Sequence, residues 1–315
     1  MDKLTSRAVR GMLYNALSVD AGIGVVGAIS NYFTSDQAEE IYAFLGQSPM
    51  LREWVGGRNA KGLRENNFSI RNKHFEATLK VTLSQLRRDK SSQLQMRINE
   101  LARRNSSHWY SLLAALLAAG ETGVCYDGQY FFDTDHSEGD SGTQSNLLSI
   151  DISGFPIVTS GTATLPSVAA YQFAIAQCVQ QIVGLKDDQG EACNTDARSF
   201  LVMCPVAHMN VAMQAVATPV QVDETQSALQ ALKGKFSIGV EPIVGLSTWT
   251  ASFAVSRTDS NFKPFIRQQE TDISIKTKGE GSDYEFDNDA HMHGIDVWRN
   301  AGYGDWKGII KATMV

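Results

Sequence analysis

The residues best equipped for chemistry in this 315-residue chain crowd into one polar loop. Gly139-Asp140-Ser141-Gly142 spells the core of a serine-nucleophile motif, and His136 lies just before it. Acyl transfer by such a serine needs a histidine to take its proton, an acid to orient that histidine, and rigid N–H donors for the oxyanion. The tetrapeptide sits in a loop rich in Ser, Gly and Asp, where short matches arise by chance. A serine hydrolase using Ser141 and His136 is therefore kept only as an alternative. Asp133, Asp135, Ser137 and Gly139 imitate a calcium loop, which wants Gly at its sixth place and Glu at its twelfth; Glu138 and Gln144 stand there instead. His291 and His293 flank Met292 and would share one face of a strand, but no third or fourth ligand is evident. No catalytic residue, cofactor-binding residue or metal ligand is assigned, and no cofactor is expected.

The four cysteines, Cys125, Cys178, Cys193 and Cys204, form no C-x-x-C pair and read as buried thiols in a reducing compartment. The start, MDKLTSRAVRGM, is polar and does not read as a signal peptide. The longest apolar run, Leu112–Ala119, falls far short of the ~20 residues a membrane helix needs. A soluble chain made in the cytoplasm, with no membrane partner, is the expectation. With 34 acidic against 28 basic residues, it lacks the basic surplus of proteins that coat nucleic acid.

The elements that would position these residues follow from periodicity. Val9, Met12, Leu13 and Leu17 have helical spacing, and a second helix is expected over Asp36–Leu45 with Ser35 as its N-cap. The longest helix is expected from Ser91 or Ser92 to Gly120, about 28 residues or about 42 Å, with Leu94, Ile98, Leu101, Trp109, Leu112 and Leu116 as its stripe. Asp127-Gly128 marks a turn between Cys125-Tyr126 and Tyr130-Phe131-Phe132. A second αβα stretch follows: a helix with Pro166 in its first turn, a buried strand at Phe200–Cys204, a helix to Ala217, and strands at Ile238–Val244 and Trp249–Val255. In the last segment, Ile273 with Ile275 and Tyr284 with Phe286 alternate as strands do.

The organising stretch is Gln47–Lys90. Phe68 and Ile70 share one face, then Phe75, Ala77, Leu79, Val81 and Leu83 share one after a register shift at Asn72-Lys73. Trp54 and Val55 precede Gly56-Gly57, and Arg58, Lys61 and Arg64 form a basic tip. The whole reads as a long two-stranded excursion. Such a hairpin is marginal alone, so another copy of the chain is expected to cover it. Trp54, Arg58, Lys61, Arg64, Phe68 and Ile70 are the candidate inter-subunit contacts, with the tip facing an acidic cluster of Asp133, Asp135, Glu138 and Asp140.

Several runs together carry a family resemblance: Leu51-Arg52-Glu53-Trp54-Val55-Gly56, Phe68-Ser69-Ile70, Asn72-Lys73, Phe75-Glu76, Cys125-Tyr126-Asp127-Gly128-Gln129, Asp135-His136, Lys263-Pro264-Phe265-Ile266 and Ala301-Gly302-Tyr303-Gly304 with Trp306. From about residue 46 onward the chain resembles the Mu-type major head subunits of tailed bacteriophages. The resemblance implies an α+β, Hong Kong 97-type capsid fold. Its parts would be an N-terminal arm at 1–46, an extended β-hairpin loop at 47–90, a peripheral domain with a long spine helix at 91–146 and 257–315, and an axial domain at 147–256. It implies a virion shell protein that assembles in the host cytoplasm with itself, as hexamers and pentamers of an icosahedral head, and encloses DNA without reading its sequence. Portal, scaffold and decoration proteins would be its partners. A cellular encapsulin-like shell is the other reading of the same fold.

Overall fold

A computed structural model of the chain describes residues 9–13, 24–45, 65–88, 93–217 and 234–315. Residues 9–13 are helical and bury Val9 and Leu13. Helix α1 (Gly24–Ile29) runs straight into strand β1 (Ser30–Thr34), which pairs in parallel with a strand from 265–269. Val26 and Ile29 enter the main core. Residues 24–34 are thus an integral part of the fold rather than a free arm, because their β-branched and aromatic residues complete a sheet.

The expected helix at 36–45 is instead a turn and strand β2 (Glu39–Leu45), antiparallel to β3 (Glu65–Arg71) with Tyr42 opposite Phe68. Ala, Glu and Leu favour a helix locally, but Ile41, Tyr42 and Phe44 suit a pleated pair, and tertiary pairing decides. Ser35 caps the turn: its Oγ accepts from Gln37 N and donates to Glu40 Oε1 at 2.9 Å. The hairpin is therefore made by 39–45 with 65–71; its connecting residues 46–64, with Trp54, Arg58, Lys61 and Arg64, lie outside the described residues.

The register shift at Asn72 is real. It separates β3 from β4 (Lys73–Thr82). The Asn72 side chain is buried there, its Nδ2 donating to Ser35 Oγ (3.1 Å) and Gln37 O (2.8 Å) and its Oδ1 accepting from Gln268 Nε2 (2.8 Å). The expectation that only another copy covers 73–82 fails. β4 pairs over ten residues with the chain's own β11, defined below, from Ala290↔Thr82 to Arg299↔Lys73.

Helix α2 (Leu83–Arg88) leads to the long helix α3 (Gln93–Ala118), which ends two residues before Gly120. α3 buries Leu94, Ile98, Ala102, Trp109, Leu113, Ala114 and Leu117. Gly120 is required by its neighbour: a Cβ there would lie 2.4 Å from Phe132 Cδ2. Strand β5 (Leu147–Ile150) follows the polar loop. Helix α4 (Val168–Gly184) is capped by Ser167, whose side chain accepts from Ala170 N, while Pro166 lies just outside. Then come β6 (Ser199–Pro205), α5 (Met209–Ala217), β7 (Ser237–Ile243), β8 (Ser252–Arg257), β9 (Phe265–Gln269) and β10 (Ser274–Lys278). Residues 283–288 form helix α6 (Asp283–Asn288), not the expected strand. Ser282 Oγ accepts from Glu285 N while Glu285 Oε2 accepts from Gly281 N, and a left-handed Asp289 stops the helix. The chain closes with β11 (Ala290–Tyr303) and β12 (Ile309–Met314).

Apart from the β2–β3 ribbon and two short two-stranded pairings, the strands form two five-stranded sheets among the described residues. In one, β1-β9-β11-β10 run side by side and β4 also pairs with β11. In the other the order is β7-β6-β8-β12-β5. The final strand β12 thus sits inside the sheet made by 147–257, so a boundary at 257 cuts through that sheet. One apolar core joins α3, α4, α5 and this second sheet; a smaller cluster joins Val9 and Leu13 to Val81, Leu94, Ile98, Ile275 and Ile295.

Candidate functional site

The polar loop after α3 folds back on itself and is tied to the C-terminal residues. Its turn at Asp127-Gly128 forms as expected: Cys125 N donates to Gln129 O at 2.7 Å and Gly128 takes φ 88°. This brings Asp127 to His136, whose Nδ1 lies 2.6 Å from Asp127 Oδ2. His136 Nε2 lies 3.2 Å from Asn146 Oδ1, and the ring stacks on Trp306 at 4.0 Å between centroids. Asn146 is held in turn, its Nδ2 donating to Phe131 O at 2.7 Å.

Both ring nitrogens of His136 are thus committed within a fully buried site. Ser141 Oγ is occupied separately, accepting from Glu138 N at 3.0 Å and donating to Gly142 O at 2.9 Å. The serine and the histidine do not form a nucleophile–base pair. Asp133 is spent on the turn as well, accepting from Thr134 N and Tyr130 N. No group of three or more metal-ligating side chains is present among the described residues.

Beside this histidine lies an ionic cluster that sequence reasoning missed. Glu138 accepts from Tyr126 Oη, from Trp306 Nε1 (3.0 Å) and from Lys307 Nζ (2.9 Å). Lys307 Nζ also donates to Tyr126 Oη at 2.7 Å and lies 3.2 Å from Asp305 Oδ1. Burial works against the Lys307 charge, but the Asp305 and Glu138 carboxylates outweigh it and hold its amine above the ordinary lysine range. Burial, reinforced by Asp305 and Glu138, pushes the Tyr126 phenol up. Glu138 is therefore an internal clasp between the loop and the C-terminal segment, and drops out of the acidic cluster expected to meet a neighbour's basic tip. The partners are 169 residues apart in sequence; only the chance that a lone Lys between Trp306 and Gly308 is buried could have hinted at it.

His291 and His293 do share a buried face of β11. His291 Nε2 lies 3.2 Å from Glu285 Oε1. Burial, then His291, lowers the His293 pKa from 6.5. The folded chain binds fewer protons than the unfolded chain just below that value, so this contribution is complete above about 6.5 and is lost as pH falls further. The urea midpoint of the unassembled chain is expected to fall from about pH 7 to about pH 5, and His293→Gln to shrink that fall. Equal slopes for both proteins would contradict it.

The β2–β3 ribbon is the remaining candidate, and its base is fixed. Tyr42 Oη donates to Gln268 Oε1 at 2.9 Å, Gln268 Nε2 donates to Ile70 O at 3.1 Å, and Asn300 Nδ2 donates to Arg71 O at 2.7 Å. Ile70 is only 3% exposed; it fits over Gly302, where a Cβ would lie 2.6 Å from its Cδ1. Its apolar surface is used within its own chain. Phe68 is half-buried beside it. Of the six candidate contacts, the structure brings together these two; the other four fall in 46–64.

A family model described as the Mu-like prophage major head subunit gpT matches residues 18–168. Over that stretch the chain is similar to the Mu-like major head subunits. The Mu-like prophage FluMu major head subunit of Haemophilus influenzae is 34% identical over 122 residues, which are 39% of this chain and 40% of that one. The major capsid protein of Escherichia phage Mu is 32% identical over 154 residues, 49% of this chain and 48% of that one. The matched stretch thus spans less than half of either head protein. Among solved structures, a chain of the bacteriophage JBD30 procapsid aligns with a TM-score of 0.56 at 21% identity, over 97% of this chain and 72% of that one. The Mu-like stretch is therefore one part of a chain that has the Hong Kong 97-type capsid fold over nearly its whole length, as the resemblance implied. No described helix is long and apolar enough to cross a membrane.

Proposed function

We propose that this chain is the major capsid protein of a tailed bacteriophage, assembling with itself into hexamers and pentamers of an icosahedral head that encloses the DNA genome. The observation that carries this reading is the coincidence of a Mu-like head-subunit sequence over 18–168 with a capsid fold over 97% of the chain. The rigid ribbon base supports it. A hairpin base anchored by Tyr42, Gln268, Asn72 and Asn300 is ordered within its own chain, which lowers the entropic cost of a contact made there. So do apolar side chains that a single chain leaves uncovered, Ile157 (81% exposed), Val158 (92%) and Leu165 (76%) among them. Permanent interfaces bury about 2,000 Å² or more, and shells gain stability from such burial. In this reading Trp54, Arg58, Lys61 and Arg64 meet a neighbouring copy, with Phe68 at the ribbon's root. Portal, scaffold and decoration proteins complete the particle, and the virion is its location. An acidic chain lines the DNA without adhering to it.

Trp54→Ala is expected to slow assembly at least tenfold, the rate equivalent of about 1.4 kcal/mol, while the unassembled chain unfolds as before. Reversing Arg58 and Lys61 together is expected to make assembly slower and more salt-sensitive, since exposed charge contacts are individually weak but add up around a ring. Light scattering across a salt series reads both; curves that overlay the wild type would remove these residues from the interface.

A further inference from the structure

Between α3 and the β4–β11 pair lies a cleft of about 170 Å³ with apolar walls of Phe75, Ala77, Leu101, Ile295 and Val297. Arg299 also lines it and is 2% exposed. Its Nη2 donates to Asn105 O (2.9 Å) and Oδ1 (2.8 Å), and its guanidinium lies over the Trp109 ring at 4.8 Å. Its Nε is buried with no hydrogen-bond partner. Burial brings the Arg299 pKa down to about 10, and the interaction that opposes this comes from the Tyr32 phenol, not from a carboxylate. His108, also on the cleft, has a buried Nδ1 without a partner; burial, then Arg299, lowers its pKa to about 4. Of the other charged groups at the rim, Arg104 pairs with Glu100 at 2.7 Å, and the Glu76 carboxylate accepts from Thr78 Oγ1 at 2.7 Å.

A buried guanidinium with an unused N–H and no carboxylate paired to it calls for an anion, because an unmet buried donor costs free energy. The apolar walls favour a carboxylate on a short hydrocarbon stem over a phosphate, which asks for several donors at once. The cleft is smaller than the ~300–1,000 Å³ of small-molecule sites, so it suits one side chain. We propose that this cleft receives an acidic side chain of a second copy of this chain, its carboxylate on Arg299 and its methylenes among Phe75, Leu101 and Val297. The chain's 34 acidic against 28 basic residues supply such groups in surplus. The inference rests on the shell reading above and identifies one contact within it.

The test uses 3-methylbutanoate as probe and the unassembled full-length chain labelled with ¹⁵N-arginine. The Arg299 Nε signal is expected to shift on titration with the probe, and not with 3-methylbutanamide, chloride or inorganic phosphate at equal ionic strength. At the probe concentration that half-saturates the site, assembly should slow at least twofold, because half of the subunits are then incompetent. Arg299→Gln should abolish the shift, and should itself assemble more slowly without further slowing by the probe. Should that variant not fold, Leu101→Trp, which fills the cleft and keeps the guanidinium, should do the same. A titration without a shift overturns the cleft as a carboxylate site and leaves the shell reading standing. Binding without slower assembly shows a site for free acids and overturns the second-copy occupant. A chain that binds the probe but never assembles overturns both that occupant and the shell reading.

Discussion

Glu138→Ala is expected to lower the unfolding free energy by about 3 kcal/mol, at the lower end of the cost of breaking a buried ion pair. The variant strands the Lys307 ammonium and removes the acceptor for Tyr126 Oη and Trp306 Nε1. Asp305, 3.2 Å from Lys307 Nζ, remains and limits the loss. Glu138→Gln keeps an acceptor oxygen and should cost less. Adding Lys307→Met to Glu138→Ala should recover part of the loss, since an apolar replacement for a whole pair is far cheaper than half a pair. Urea unfolding of the unassembled chain measures each. A Glu138→Ala variant within about 1 kcal/mol of wild type would mean that the cluster behaves as a surface pair.

Gly304→Ala is expected to destabilise by about 3 kcal/mol, the upper part of the usual overpacking range. A Cβ at Gly304 would lie 2.4 Å from Lys263 O, a backbone atom held by the start of β9, while Gly304 N itself donates to Pro264 O at 2.7 Å. Gly302→Ala meets only side chains, Ile70 and Phe68. Those can rotate aside, so its cost should be smaller, about 1 kcal/mol. Ile70→Ala combined with Gly302→Ala should show a favourable coupling, because the shorter side chain vacates the space. Thermal unfolding of the set gives the order. If Gly302→Ala proved the worse of the two, the close approach at Lys263 would be wrong.

These glycines show how much of the fold was legible beforehand. The run Ala301-Gly302-Tyr303-Gly304 stood out as a family signature, but spacing alone did not say what each glycine admits. Local signals worked where the chain decides locally. The long helix was expected from 91–92 to 119 and runs Gln93–Ala118; the turn at Asp127-Gly128 and the break at Asn72 were also read correctly. They failed where a distant strand decides. Residues 39–45 carry helix formers and became a strand because β3 lies beside them. The strand at 73–82, whose cover was assigned to a second copy, pairs along its edge with β11, more than 200 residues later. At 282–285 the helix starts on Ser282 with Glu285 three residues on, a pattern that the reading of the Tyr284/Phe286 alternation left out; Phe286 is in fact exposed. At the candidate site, the residues that looked chemical turned out to be structural fasteners. The Glu138–Lys307 clasp and the Arg299 cleft each join segments that no local pattern connects.

Whether copies of this chain close into a shell is read from electron microscopy of the purified, expressed protein. Closed particles of uniform diameter, with rings of six and of five subunits resolved in class averages, are the expected result. A compact monomer at every concentration and salt condition, with no particles in the expressing cells, would contradict it.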